Sequence, residues 1–539
     1  MIKRYKKMLK QEFLHYSKEK LQKDLLAGLT VAAVALPLAL AFGVSSGADA
    51  AAGMITAIIA GVVIGSLSGG FYQISGPTGA MAAILTGIIA TQGLAGVLLA
   101  TFIAGLILLF AGLLKLGSLT SFIPSPVITG FTSGIAIIIA LGQIDNFFGT
   151  SSTGENSLAK LISYKDGFSP DFPTLALGII ILLILLLYPK KWNQILPASL
   201  VAIILATFAT IIFQFPVAKV GTIPTSLLTG ERLQLSALSL SSIKQLLLPS
   251  ISIAMLGMIE SLLCGASAGR MTGKDLDSNQ ELIAQGIGNI ILPFFGGIPA
   301  TAAIARTSVA IKSGAQTRLA GIFHALFLFL SMILFAPIMS QIPMAALASV
   351  LLITSWRMHE WATIKAMIHE KNRSALLLFS VTMFSTIIFD LSIAIVIGVI
   401  CSCIFFIAKS ARISIITEDI DWKRMDLPDS PVGSDWAVIY ITGPLFFMSA
   451  NQLKKTLDQV INKEGLIFSL RGVPSIDLTA LDSFNDYFSI ATLNQQKLIF
   501  TSMQPEVEKQ FNRLWEKREH SPIQHPTVAH ALHEIHQTF

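Results

Sequence analysis

Charge is what this chain has least of. Of its 539 residues only 13% are charged, while 53% are hydrophobic; a soluble globular domain carries about 25% charged residues. The scarcity excludes a soluble fold for most of the length. It is also uneven. Between Asp24 and Asp145 the only charged residues are Asp49 and Lys115, and after about residue 409 the composition becomes that of a soluble domain. One membrane domain and one aqueous domain follow from this. Cysteine is nearly as scarce: Cys264, Cys401 and Cys403 all lie in apolar stretches. That excludes a disulfide framework and leaves them as packing residues. No nucleophile–base pair, phosphate loop or metal-ligand set stands out, so the chain does not read as an enzyme. The late histidines, His530, His533 and His536 among them, have no cysteine or carboxylate set beside them and read as a solvated helix face.

The net charge of +6 does not indicate a nucleic-acid partner. Eight basic residues fall within the first 24, just ahead of the first apolar run, against Glu12, Glu19 and Asp24. That cluster reads as cytoplasmic by the positive-inside rule, and as amphipathic enough to lie on the membrane. Apolar runs then follow at 25–44, 51–67, 73–90, 94–114, 121–145, 173–188 and 196–215. After a polar linker at 216–245 a second set follows at 248–268, 281–295, 300–312, 318–339, 343–356, 374–388 and 390–409. Seven and seven give fourteen expected membrane segments, some too short to span a bilayer in full. Lys190 and Lys191, Arg270 and Lys274, Lys312 and Arg318, and Arg357, Lys365, Lys371 and Arg373 fall in loops that this count places inside.

Ionisable groups in apolar segments and broken backbone at membrane depth both mark functional sites. Both occur between Leu248 and Gly314. The third segment of each half opens on a glycine–proline break, SGPTG at 75–79 and GGIPAT at 296–301, which is the sequence pattern of an inverted-repeat transporter. Two half-helices meeting at midplane would aim free N–H groups at one point and attract an anion. Pro77 and Pro299 suit first helical turns, while Gly76, Gly79 and Gly297 allow close approach. Thr78 and Thr301 add hydroxyls. Arg306 is expected one to two turns into the second half-helix, where it would grip an oxyanion or, alternatively, pair with a carbonyl or lipid phosphate. Glu260 sits in AMLGMIESLLCGA with no basic neighbour in sequence. It would exchange a proton, bind Na+ when ionised, or be satisfied by donors from another helix. Glu281 and Asn279 read as interface or capping residues, and Asp277 or Ser278 as the cap of the helix that follows.

From Asp435 short apolar strands alternate with amphipathic helices, which implies a small α/β domain. The expected division is an N-terminal cytoplasmic segment 1–24, a transmembrane domain 25–410, a linker 411–433 and an aqueous domain 434–539.

The stretches DLLAGLTVAAVALPLALAFGV (24–44), ISGPTGAMAAI (74–84), IESLLCGASAGRMTG (259–273), SNQELIAQGIGN (278–289) and FFGGIPATAAIARTSV (294–309) resemble the SulP family of anion transporters. PSIDLTALDSF (474–484) resembles the signature of a STAS domain. The resemblance implies fourteen segments in a 7+7 inverted repeat, core and gate domains, elevator-like movement and a homodimer. It implies a multi-pass protein of the bacterial plasma membrane with both termini cytoplasmic. It places the anion between the third and tenth segments, with Phe42, Gly76, Pro77, Thr78, Gly79, Thr301, Ala302, Ala303 and Arg306 as its contacts. Leu38 stands where some relatives have glutamine. Glu260 stands where a Na+-coupled bicarbonate relative has aspartate, and its identity is closer to proton-coupled members. The implied function is proton-coupled symport of sulfate or a related oxyanion or carboxylate. Na+-coupled bicarbonate or C4-dicarboxylate transport, an uncoupled channel or exchanger, and a STAS-based signalling protein remain open. No cofactor is implied beyond H+ or Na+. Thr479 beside Asp477 matches a phosphorylated position of some STAS domains, and the domain implies a cytoplasmic protein partner.

Overall fold

The structure is a computed structural model that describes residues 2–14, 16–118, 124–153, 157–189, 191–194, 196–228, 230–234, 240–389, 391–410, 413–420, 436–515 and 522–538. It divides into two compact units, Met1–Ile400 and Cys401–Phe539.

Helix covers each of the fourteen apolar stretches. The first half holds α1 (Ile2–Glu12), α2 (Lys18–Ser45), α3 (Ala50–Leu67), strand β1 (Ser75–Gly76), α4 (Gly79–Leu113), α5 (Ser125–Gly142), α6 (Ile144–Phe148), α7 (Ser157–Ser163), α8 (Phe172–Leu187) and α9 (Ala198–Phe213). The second holds α10 (Leu240–Thr272), α11 (Ser278–Ile291), β2 (Thr301–Ala302), α12 (Ile304–Lys312), α13 (Leu319–Met339), α14 (Met344–Met358), α15 (Trp361–His369), α16 (Arg373–Ile388) and α17 (Leu391–Ser410). Six of the described helices are long and apolar enough to cross a membrane by length and composition. The third and fourth expected segments are the two helical stretches of α4, which meet at a break at Gly93, where φ is 66° and ψ −175°. Only glycine holds that backbone at little cost. α10 begins inside the expected polar linker, and α15 lies between two expected segments.

The helices pack as two groups. α2, α3, α4, α10, α11, α12 and α13 contact one another; α5, α8, α9 and α14 form a second set, with α16 against α5. Backbones approach closely where glycine permits. A Cβ on Gly105 of α4 would stand 2.6 Å from the Ile290 nitrogen, and one on Gly286 of α11 2.5 Å from the Leu109 nitrogen. Small residues at such crossings are the usual device for helix packing in lipid.

α1 is tied down rather than only laid on a surface. Glu12 and Arg318 form a 2.7 Å ion pair that is almost fully buried. The Arg318 N–H also donates to Glu12, at 2.7 Å, and Arg318 Nη1 donates to the Ser66 carbonyl at 2.7 Å. Asp24 accepts from the Gln316 and Thr317 N–H groups and from the Thr317 hydroxyl, so it caps the turn before α13.

In the second unit a five-stranded sheet runs in the order β3 (Ser414–Asp419), β4 (Trp436–Thr442), β5 (Gly465–Gly472), β6 (Lys497–Thr501), β7 (Ile523–His525). β3 is antiparallel to β4 and the remaining pairs are parallel. β3 falls inside the stretch expected as a linker, while 421–435 lies outside the described residues. Helices α18 (Phe447–Gln459), α19 (Leu478–Leu493), α20 (Pro505–Trp515) and α21 (Val528–Thr538) complete the unit. Alternate strand residues face opposite sides. Phe468 and Phe500 pack with Phe484 and Phe511 in one core, and Trp436, Ile467 and Ile499 pack with Ile535 in the other.

Candidate functional site

The two glycine–proline breaks come together. β1 and β2 pair antiparallel, Ser75 opposite Ala302 and Gly76 opposite Thr301. The Ala303 N–H extends the ladder to the Ile74 carbonyl at 2.9 Å, and the Ile74 N–H donates to the Thr307 hydroxyl at 3.0 Å. This pairing holds the starts of α4 and α12 side by side. The first N–H groups of each helix lack acceptors within it, so both positive helix ends meet here. The pairing also corrects the expected role of the prolines. Thr78 is the N-cap of α4, its Oγ1 accepting from the Met81 N–H, so Pro77 precedes the cap. Ala303 is the N-cap of α12, so Pro299 lies outside the helix altogether. Both prolines lie in the non-helical residues beside the two short strands.

Glu260, on α10, reaches the junction. Its Oε2 accepts from the Thr78 hydroxyl at 2.9 Å and from the Thr301 hydroxyl at 2.7 Å. One carboxylate oxygen thus joins a threonine of each break. Ser261, its neighbour, accepts from the Ala302 N–H at 3.2 Å. Cys264, one turn on, donates to the Thr307 hydroxyl and is a packing residue with one polar contact.

Arg306 lies in the first turn of α12, closer to the junction than expected, and is 2% exposed. Its Nη2 donates to the Pro77 carbonyl at 2.8 Å. Its Nη1 is buried without an acceptor among the described residues and stands 2.5 Å from where a Cβ on Gly76 would lie. The guanidinium therefore crosses from one half to the other and keeps one N–H group free. Arg306 pairs with a carbonyl, and that carbonyl belongs to the junction.

Phe42 and Ile139 cover Gly79. A Cβ there would meet Ile139 Cδ1 at 2.4 Å and Phe42 Cε1 at 3.1 Å. Ile139, on α5, also lines a cavity of about 690 Å3 between α4 and α10 on one side and α5, α16 and α17 on the other. Lys160 is the one charged side chain among its described lining residues. Residues Ala83 and Thr86 of α4 line it as well, so the cavity ends one turn from Gly79, with Ile139 at its inner wall.

Behind the junction, α11 carries polar residues that the sequence reading underrated. Asp277 caps α11 as expected. Glu281 is not an interface residue: it is fully buried and accepts from the Ser68 hydroxyl, the Gly69 N–H and Gln285 Nε2. Gln285 Nε2 also donates to the Ser75 hydroxyl of β1 at 3.0 Å. Asn289 braces the approach to β2, donating to the Ala300 carbonyl at 3.0 Å and accepting from its N–H at 2.9 Å. Residues 281, 285 and 289 are spaced i, i+4, i+8, and that spacing marks one helix face; it was the available signal.

In the second unit Asp477 caps α19 and also accepts from the Phe447 N–H at 2.9 Å. Thr479 is exposed in the first turn of α19.

Comparison with known proteins identifies the family and the fold. The sulfate permease family matches residues 21–382, and the STAS domain matches residues 428–529. YvdB of Bacillus subtilis, named as a candidate sulfate transporter, is 35% identical over 91% of this chain and 93% of its own length. The bicarbonate transporter BicA of Synechocystis sp. is 31% identical over 85% of this chain and 84% of its own. Among solved structures, the transmembrane domain of a cyanobacterial BicA superposes with a TM-score of 0.65 at 30% identity, covering 72% of this chain and 98% of that one. Murine Slc26a9 in its inward-facing state shares the fold at 16% identity, with a TM-score of 0.85 over 97% of this chain and 93% of that one. The chain belongs to the sulfate permease family: it is a multi-pass membrane anion transporter carrying a C-terminal STAS domain.

Proposed function

We propose that the protein imports a small oxyanion together with a proton, with sulfate as the first substrate. The observation that carries this reading is the Glu260 oxygen shared by the Thr78 and Thr301 hydroxyls. A threonine hydroxyl has one proton to donate. It cannot serve Glu260 and a bound anion at the same time. With Glu260 ionised, both hydroxyls are held by the carboxylate. When Glu260 takes up a proton, they are released to turn toward the anion, so proton and anion are bound together. Arg306 Nη1 and the N–H groups at the two helix starts supply the remaining donors.

Charge supports a dianion. Arg306 brings one positive charge and two helix N-termini bring about half a charge each, roughly +2 in all while Glu260 is neutral. An ionised Glu260 lowers that to about +1, which suits a monoanion with a cation beside the carboxylate. Na+-coupled bicarbonate uptake is therefore the second reading, favoured by the BicA likeness.

The cavity bounded by Ile139 is the access route in this account. It runs along the boundary between the two helix groups, and elevator-like movement of one group past the other would open and close it. We place the protein in a bacterial plasma membrane as a homodimer with both termini cytoplasmic, its STAS domain available to a cytoplasmic protein.

The experiment is uptake of labelled sulfate, bicarbonate and fumarate into proteoliposomes under an inward proton gradient or an inward Na+ gradient. Proton-driven sulfate accumulation supports the proposal. Fumarate accumulation would move the substrate to C4-dicarboxylates. Accumulation of bicarbonate driven only by Na+ would replace the proposal with the second reading. Flux that follows no gradient would make the protein an exchanger or channel.

A further inference from the structure

The connection between α14 and α16 carries a feature that anion transport does not use. α14 carries Trp356 and Arg357 in its last turn, α15 follows, and a tight turn leads into α16. Lys371 takes the left-handed conformation in that turn, with φ 50°, and Asn372 caps α16 by accepting from the Ala375 N–H at 3.1 Å. Lys371 and Arg373 stand at the turn that ends α15, Lys365 lies midway along α15, and Arg357 stands before its start. All four are exposed. None is in an ion pair among the described residues. Two carboxylates lie nearby in sequence. Glu370, next to Lys371, is exposed and in no ion pair among the described residues, which leaves the patch a net charge of about +3. Glu360 is engaged elsewhere, accepting from the buried Thr129 hydroxyl of α5 at 2.7 Å. That bond pins the start of α15 against the transmembrane bundle.

Aromatic rings stand beside the cations. Trp356 and Trp361 lie 4.9 Å apart between ring centroids, and His359 stacks on Trp361 at 5.1 Å. Trp356 is 63% exposed despite its size. On α15 itself, Trp361, Lys365 and Ile368 are exposed at i, i+4 and i+7, while Met367 is turned inward.

The neighbouring helix fixes the level. Arg373 and Leu377 are one turn apart on α16 and both exposed. Leu377, Phe384 and Ile388 continue an uncovered apolar face along the rest of α16. In a membrane protein such a face meets lipid, so the boundary between hydrocarbon and headgroups passes between Arg373 and Leu377. Tryptophan settles at that level, and exposed Lys and Arg there attract anionic headgroups.

We propose that α15 and its flanking turns form a docking surface for anionic phospholipid. Arg357, Lys365, Lys371 and Arg373 would hold the headgroup phosphates, with Trp356 and Trp361 seated against the upper acyl chain. The inference rests on no reading of the transported anion.

The test uses the full chain in nanodiscs. Tryptophan fluorescence is compared in phosphatidylcholine discs containing equal fractions of tail-brominated phosphatidylglycerol or tail-brominated phosphatidylcholine. The wild type should be quenched more by the anionic lipid. Each neutralised cation should lower that preference by about fivefold. In the combined variant R357Q/K365Q/K371Q/R373Q the two lipids should quench alike. The single variant K365Q, which removes one exposed charge, should fall between them. The W356F/W361F variant should show no preference, which assigns the signal to this pair among the six tryptophans. Equal quenching by both lipids in the wild type would overturn the proposal, as would an anionic preference that survives in a monodisperse fourfold variant.

Discussion

Gly76→Ala tests whether the space beside Arg306 is part of the anion site. The new methyl would lie 2.5 Å from Arg306 Nη1 and 3.3 Å from Cζ, where ordinary contact begins at 3.4 Å. The guanidinium must retreat by about 1 Å. It has little freedom to do so, because Nη2 is held by the Pro77 carbonyl and the residue is almost fully buried. The retreat withdraws Nη1, the one unpaired donor of this group. A hydrogen bond to a charged partner is worth about 1.5–3 kcal/mol, so the variant should raise the KM for the transported anion by about 10- to 150-fold. The assay is concentration-dependent uptake into proteoliposomes, paired with the Tm of the purified protein. A KM within twofold of wild type in a protein of unchanged Tm would refute the placement of the anion at Nη1. A large fall in Tm with unchanged KM would make Gly76 a packing residue only.

Other outcomes follow from the same contacts. Gly79→Ala should cost about 1–3 kcal/mol through overpacking against Ile139, and Ile139→Val, which removes the offending Cδ1, should restore part of it; additive losses in a double-mutant cycle of Tm would contradict the contact. Asn289→Ala leaves the buried N–H and C=O of Ala300 unpaired and should lower stability by about 1–3 kcal/mol for each, read as a lower Tm with slower uptake. Arg318→Gln strips the partner from buried Glu12, a change that costs about 3–5 kcal/mol in such pairs; limited proteolysis should then cut near α1, and an unchanged digestion pattern would show that the ion pair does not hold that helix.

The helices were legible because a bilayer demands long apolar runs, and each of the fourteen runs is helical. Where they begin was less legible. Pro77 and Pro299 look like first-turn prolines in sequence, but the residues around them are drawn into a ladder between Gly76 and Thr301, 225 positions apart by their numbers. No local propensity reports such a pairing. The break between the third and fourth segments was legible, because the backbone leaves the helical region at Gly93. Glu260 stood out because nothing else near it was charged. Its partners did not, since Thr78 lies 182 residues away. Glu281, Gln285 and Asn289 were underrated because each alone resembles a cap or interface residue, although their spacing placed them on one face. Ile139 carried no signal at all. It is one isoleucine among many, and only the close approach of α5 to Gly79 gives it a role.

The most direct test of the account is proton entry during transport. Proteoliposomes loaded with a pH-sensitive dye receive external sulfate with no imposed pH gradient. The account predicts internal acidification with the wild type and none with Glu260→Gln, in a variant that still exchanges labelled sulfate across the membrane. Acidification of wild-type extent in Glu260→Gln would contradict it, and would remove Glu260 from the coupling between proton and anion.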